Sequence, residues 1–237
     1  MQSAWTLLSW GPEGWLDDIA YGAFVTVTLA LATLPVGLAI GFLIALAKQS
    51  PEPSLRLAGN VYTTIFRGLP ELLTLFLVFY GAQIGLQKLI QLFQPGTAIE
   101  VNAFVSGMIA LGVVFSSYAS EVFLSAFRAI PRGQYEGGYS IGLSKWQTMR
   151  LVVLPQLIRI ALPGLGNLWL ILLKDTALVS AIGLTDILRQ AGVAARVTKH
   201  AFLFFGAASL IYLALAIVSS IGIGAIERAV GSREAHR

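Results

Sequence analysis

The sequence contains no cysteine. Disulfides, thiolate metal sites and a cysteine nucleophile are therefore excluded. Charge is scarce as well: 12% of the 237 residues are charged, against about 25% in an ordinary soluble domain. Only two histidines occur, His200 and His236, and no zinc-type spacing surrounds either. His200, beside Lys199 at the foot of an apolar run, reads as an interfacial residue. No Gly-Lys pair exists anywhere, so the chain lacks the phosphate loop Gly-x-x-x-x-Gly-Lys-Ser/Thr. Any ATP that drives it is bound and hydrolysed by another polypeptide. No catalytic residue, resident cofactor or metal is expected, because no nucleophile–base pair or metal cluster stands out in the apolar runs.

What is present in quantity is apolar sequence: 56% of residues are hydrophobic and the mean hydropathy is +0.76. A helix needs about 20 apolar residues to cross a bilayer. Five stretches qualify, at residues 19–47, 69–91, 101–128, 156–181 and 201–226. The expected fold is therefore all-α, a single polytopic transmembrane domain over 1–237. The first run is too long for a signal peptide, and no basic residue precedes it. Residues 54–66 are mixed in character and read as an interfacial or amphipathic segment. Pro70 is placed in the first turn of the second span. The fourth span meets Lys174 and Asp175 at depth, so it carries charge inside the membrane or bends there. Gln94-Pro-Gly-Thr reads as a turn, and residues 183–199 as a mixed loop. Trp5, Trp10 and Trp15 read as a membrane-surface belt.

Basic residues mark the cytoplasmic side of membrane proteins. With the N-terminus outside, the inner segments hold Lys48, Arg56, Arg67, Arg128, Arg132, Lys145, Arg150, Arg159, Arg228, Arg233 and Arg237. The outer ones hold Lys88, Lys174, Arg189, Arg196 and Lys199. This asymmetry predicts the N-terminus outside, the C-terminus inside, and a cytoplasmic loop at 129–155.

That loop carries the sharpest pattern. It reads Glu136-Gly-Gly-Tyr-Ser-Ile-Gly142, nine residues, then Val152-Val-Leu154-Pro155. It resembles the EAA loop of binding-protein-dependent ABC importer permeases, with Glu136, Gly142, Leu154 and Pro155 at the family's spacing. Gly137 and Gly138 replace the family's alanines, at about 1 kcal/mol each in a helix interior, so the short helix is expected to order on docking. Further stretches are similar to polar amino acid permeases: Tyr62-Thr-Thr-Ile-Phe-Arg-Gly-Leu-Pro-Glu, Phe127-Arg-Ala-Ile-Pro-Arg-Gly-Gln-Tyr-Glu, Leu162-Pro-Gly-Leu-Gly-Asn and Leu173-Lys-Asp-Thr-Ala-Leu-Val-Ser-Ala-Ile-Gly-Leu-Thr-Asp. The nearest likeness is to permeases for histidine, other basic amino acids and opines.

The resemblance implies a non-catalytic permease of a bacterial inner membrane. It also implies a homologous second permease, two ATP-binding subunits and a periplasmic binding protein, with no nucleic acid involved. Glu136, Gly137, Gly138, Gly142, Lys145, Leu154 and Pro155 would couple the chain to its ATPase. Gly142 would supply a tight turn, and Glu136 would cap or pair at the helix start. A charge at mid-bilayer pairs or faces a cavity, so Glu121, Asn167, Lys174, Asp175 and Thr176 are candidates for the solute pathway. They serve equally as structural pairs between helices. Glu121 and Arg128 stand two turns apart, about 10 Å, so Glu121 is expected to meet another span or a partner. Arg67 and Glu71 read as inner-surface residues. A stand-alone secondary transporter or channel is the rival reading; it would need broken helices with ion ligands, for which only the Lys174–Asp175 region is a candidate.

Overall fold

The computed structural model describes residues 4–94, 96 and 100–231. Arg233, His236, Arg237, the Trp5 side chain, and Pro95 and Thr97 of the expected turn lie outside the described residues. Ten α-helices follow in order among those residues: α1 (Ala4–Leu7), α2 (Leu16–Gln49), α3 (Pro53–Gly68), α4 (Glu71–Phe93), α5 (Ala103–Ala129), α6 (Arg132–Ser140), α7 (Lys145–Thr148), α8 (Leu154–Asp175), α9 (Ile187–Thr198) and α10 (Ala201–Gly231). Among the described residues five helical stretches are long and apolar enough to cross a membrane. They contain the five spans expected from the sequence, apart from the first residues of the second and third.

The bundle is built around α5, whose buried face includes Ala110, Phe115, Ala119, Phe123 and Phe127. Small residues let α2 lie against it. A Cβ on Gly41 would stand 2.9 Å from the Ala119 Cβ and from the Ser116 carbonyl oxygen. Lipid tails are as apolar as leucine, so close approach rather than hydrophobicity drives such pairing. Thr33 faces Gly112, Gly37 faces Phe115 and Gly41 faces Ala119, so α2 and α5 run in the same direction. α8 runs against them: Gly164 abuts Val122, and Val179, just beyond α8, abuts Gly107. Ser117 and Ser120 are buried in α5 and return their hydroxyls to the carbonyls of Val114 and Ser117. This spares the interior an unsatisfied polar group.

Two expectations are corrected. Pro70 does not open the second span; it caps α4 from outside, with φ −57° and ψ 132°. The segment before it does not lie along the surface. α3 climbs beside α5, and the Tyr62 hydroxyl lies 3.1 Å from the Val113 carbonyl oxygen and 2.8 Å from the Ser116 hydroxyl. These partners sit at the middle of α5, so Arg67 and Glu71 stand at mid-bundle depth rather than at its inner surface. The cause is packing: Gly59 presses on the Lys48 side chain and Thr63 is buried, which pulls the amphipathic helix inward.

The fourth span changes helix type where the sequence places Lys174-Asp175. α8 gives way to a 3₁₀ helix at Thr176–Ile182, which stops at Gly183 with φ +95°. The following segment is a helix, not a loop. Asp186 caps α9 by accepting the Arg189 N–H at 2.9 Å. Ile187, Ala191, Ala194 and Ala195 then form its buried stripe. The signal was present in the sequence as a capping aspartate before an apolar stripe of helical period.

Asp186 is wholly buried. Burial pushes its carboxyl up to about 6, opposed by the backbone N–H groups of Arg189 and Leu188. Its second oxygen and the Tyr212 hydroxyl find no well-formed hydrogen bond among the described residues, although Tyr212 lies beside Asp186, Thr26 and Thr176. A carboxyl raised on folding favours the fold below its unfolded value near 4 and loses that contribution as pH rises through about 6. The parent protein in detergent should therefore lose thermal stability between about pH 4 and 6.5. Asp186→Asn, which keeps the capping oxygen, should flatten that slope. An unchanged slope in the variant would remove Asp186 as its source.

Candidate functional site

Two sites emerge, one at the loop end and one at mid-bundle. At the loop end α6 forms within the isolated chain, despite Gly137 and Gly138. It closes with the Gly142 N–H bonded to the Tyr139 carbonyl at 3.0 Å and the Leu143 N–H to the Gly138 carbonyl at 3.1 Å. This double closure requires a left-handed residue, supplied by Gly142 at φ +85°. Ser144 and Gln147 then form a reciprocal capping box that starts α7, and a π-helical turn at Met149–Val153 leads into α8. Leu154 and Pro155 are the first residues of α8, into which the helical chain runs without a break from this turn.

Gly138 is not a weakened alanine. A Cβ there would stand 2.6 Å from Thr148 Cγ2 and 2.8 Å from Thr148 Oγ1. Glycine lets α6 press on α7 and is the residue this hairpin needs. Gly137 has open space around it. Glu136 is exposed in the second turn of α6, too far along to cap its start, so the capping role expected from the sequence is not realised. Lys145 and Arg150 are exposed. Ile141, Trp146 and Leu151 are 75%, 70% and 61% exposed. Apolar and basic side chains are thus exposed side by side in sequence along this segment of the single chain.

At mid-bundle, Glu71 at the start of α4 and Asp175 at the end of α8 line one cavity with Tyr118, Leu75, Val114 and Leu172. The cavity measures about 20 Å³, room for one water. The two carboxylates lie within electrostatic reach of each other, and among the described residues no basic group shares the lining. Sequence reasoning missed Glu71 because the climb of α3 could not be seen. The pattern Arg67-Gly-Leu-Pro-Glu71 marks a helix start but not its depth.

Glu121 does not reach this cavity. It pairs with Lys48 of α2 and, at 3.6 Å, with Arg67 of α3. Lys48 also donates to Thr63 at 3.1 Å. Arg67 lies 5.4 Å from the Tyr118 ring centroid, so Tyr118 separates the ion cluster from the cavity. Of the other candidates, Thr176 is buried and returns its hydroxyl to the Leu173 carbonyl at 2.7 Å. Asn167 and Lys174 are exposed on the single chain. The structure therefore brings Asp175 together with Glu71 and leaves Glu121, Asn167, Lys174 and Thr176 out of the cavity lining, although the Lys174 ammonium still acts electrostatically on Asp175.

Residues 37–232 match the family described as binding-protein-dependent transport system inner membrane component. A nopaline transport system permease of Agrobacterium fabrum is 46% identical over 92% of both chains. An arginine ABC transporter permease of Haemophilus influenzae is 40% identical, covering 86% of this chain and 90% of that one. A histidine/lysine/arginine/ornithine permease of Escherichia coli is 37% identical over 87% and 90%. Among solved structures, an amino acid ABC transporter with histidines superimposes with a TM-score of 0.76 at 30% identity, covering 90% of this chain and 94% of that one. An inward-facing methionine ABC transporter shares the fold, with a TM-score of 0.74 at 17% identity over 90% and 96%. The chain belongs to the binding-protein-dependent transport system inner membrane component family, and is a non-catalytic, multi-pass permease subunit of an ABC importer whose ATPase is a separate polypeptide.

Proposed function

We propose that this permease translocates solutes bearing a cationic side chain, basic amino acids or opines built on them, and that Glu71 and Asp175 receive the cation. The carrying observation is a pair of carboxylates on one mid-bundle cavity with no basic residue among its described lining. Two such groups repel, and a guanidinium or ammonium between them relieves the repulsion while gaining charge-assisted hydrogen bonds. The names of the relatives, which include nopaline, arginine and histidine/lysine/arginine/ornithine permeases, support this solute class. The closed cavity holds a water and not an amino acid, so α4 and the end of α8 part to admit the solute. A homologous, non-identical second permease faces them and covers the exposed Asn167 and Lys174. The loop at 129–155 lies in the cytoplasm, and an ATPase seats on it and covers the exposed Ile141, Trp146 and Leu151; two ATPases and a binding protein complete the importer.

The test is arginine uptake by the whole importer reconstituted in proteoliposomes. A hydrogen bond to a charged group contributes about 1.5–3 kcal/mol, so Glu71→Gln and Asp175→Asn should each weaken the apparent affinity for arginine about 10- to 100-fold. The ATPase subunits should still copurify at parental ratio. Parental arginine uptake in both variants would take the solute away from this cavity.

A further inference from the structure

Two aromatic rings line the Glu71–Asp175 cavity, Phe115 and Tyr118, both from α5. Phe115 is 5% exposed and its ring packs against Gly37 of α2, so it is committed to the core. Tyr118 is half-buried and is the ring that a solute in the cavity can reach. This ring already carries one planar cation. The Arg67 guanidinium carbon lies 5.4 Å from its centroid, within the roughly 6 Å at which a ring face holds a cation. Apart from Glu71, Asp175 and Tyr118, the described lining is hydrocarbon.

Arginine and lysine are not equivalent in such surroundings. A guanidinium is flat and presents its N–H groups in a fixed fork, so one cation can bond carboxylates from two helices at once. An ammonium is a compact point charge that gives up a tighter hydration shell on entering an apolar cavity. A guanidinium also stacks flat on an aromatic face, which an ammonium cannot do. The first two differences act in any acidic cavity with hydrocarbon walls. The third depends on a single side chain, and that side chain is well held. α5 is the helix around which the bundle is built, and Ser117 and Ala119 on either side of Tyr118 are wholly buried. When α4 and the end of α8 part to admit the solute, α5 stays, and Tyr118 remains on the wall of the opened site.

We propose that Tyr118 sets the choice of solute at this site. Its ring receives a planar guanidinium while Glu71 and Asp175 take the N–H groups at the cation's edges, so the permease holds guanidinium solutes in preference to ammonium ones. The proposal rests on the reading of Glu71 and Asp175 as the receivers of the cation, and adds the residue that tells one cation from another.

The experiment is displacement of radiolabelled arginine from the membrane complex of permeases and ATPases in lipid nanodiscs. The binding protein is left out, so that its own selectivity does not enter. The competitors are arginine, lysine and citrulline, the last having the shape of arginine without its charge. The parent should hold arginine at least about tenfold more tightly than lysine. Tyr118→Leu should shrink that ratio at least about fivefold, chiefly by weakening arginine, and Tyr118→Phe, which keeps the ring, should restore it. A variant that assembles poorly binds less of every solute, so the ratio of affinities is the readout and not the amount bound. A parent without preference for arginine over lysine, or a Tyr118→Leu ratio equal to the parent's, would overturn the proposal while leaving the cation reading in place. Citrulline competing as well as arginine would overturn that reading, and the proposal with it.

Discussion

Gly142→Asp is expected to leave the spans inserted and to reduce the ATPase recovered with the permease about tenfold. Gly142 holds φ +85° with no atom within 4 Å of where a Cβ would stand, so the whole penalty is conformational. A non-glycine residue in this region costs about 1–2 kcal/mol, and each 1.4 kcal/mol is about a factor of ten in the population of the native loop. After glycine, asparagine is the residue found at such left-handed helix ends, so Gly142→Asn should fall between parent and Gly142→Asp. Gly138 supplies an independent arm. Gly138→Ala would push a methyl into Thr148, an overpacking cost of about 1–3 kcal/mol. Thr148→Ala removes both atoms nearest that methyl and should restore much of the loss in the double variant. The measurement is the ratio of ATPase to permease in a pull-down of the tagged chain, with membrane insertion checked separately. Parental ratios in Gly142→Asp and Gly138→Ala would show that the α6–α7 hairpin does not receive the ATPase.

The loop was legible because its constraints are local. A left-handed glycine and its fixed spacing to Leu154 and Pro155 leave the same mark in sequence as in structure. The five spans were legible because a run such as 201–226 has no soluble alternative. Depth was not legible. Residues 54–66 carry the mixed composition of a surface helix, and only the tertiary contacts of Gly59, Tyr62 and Thr63 draw α3 beside α5. That single displacement moves Arg67 and Glu71 to mid-bundle and gives Asp175 its counterpart. It also explains why Glu121 resembles a solute ligand in the sequence: an intramembrane carboxylate is conspicuous there, while the distant Lys48 and Arg67 that neutralise it are not. α9 is a different case, since Asp186 and the apolar stripe after it are visible in the sequence but outweighed by the charges of Arg189, Arg196 and Lys199.

The largest effect on stability is expected from Glu121→Leu. The Lys48 side chain is 7% exposed, and its partners are Glu121 and the Thr63 hydroxyl. Removing the carboxylate strands a buried ammonium, which costs about 3–5 kcal/mol. Lys48→Met should cost less, because Glu121 is 32% exposed and keeps Arg67 at 3.6 Å. Arg67 is itself 45% exposed and so gains only the modest energy of a hydrated pair. The double variant Lys48→Met/Glu121→Leu removes both charges of the pair and replaces them with apolar groups of similar length. It should recover most of the stability lost by Glu121→Leu alone, because a buried ion pair is often no more stabilising than a well-packed apolar substitute. Thermal unfolding of the purified importer, followed by the loss of monodisperse protein on gel filtration, orders the four proteins. The expected order is parent and double variant highest, Lys48→Met next and Glu121→Leu lowest. A Glu121→Leu protein as stable as the parent would mean that Lys48 finds water or another acceptor, and α3 would then owe its inward position to the Gly59 and Tyr62 contacts alone.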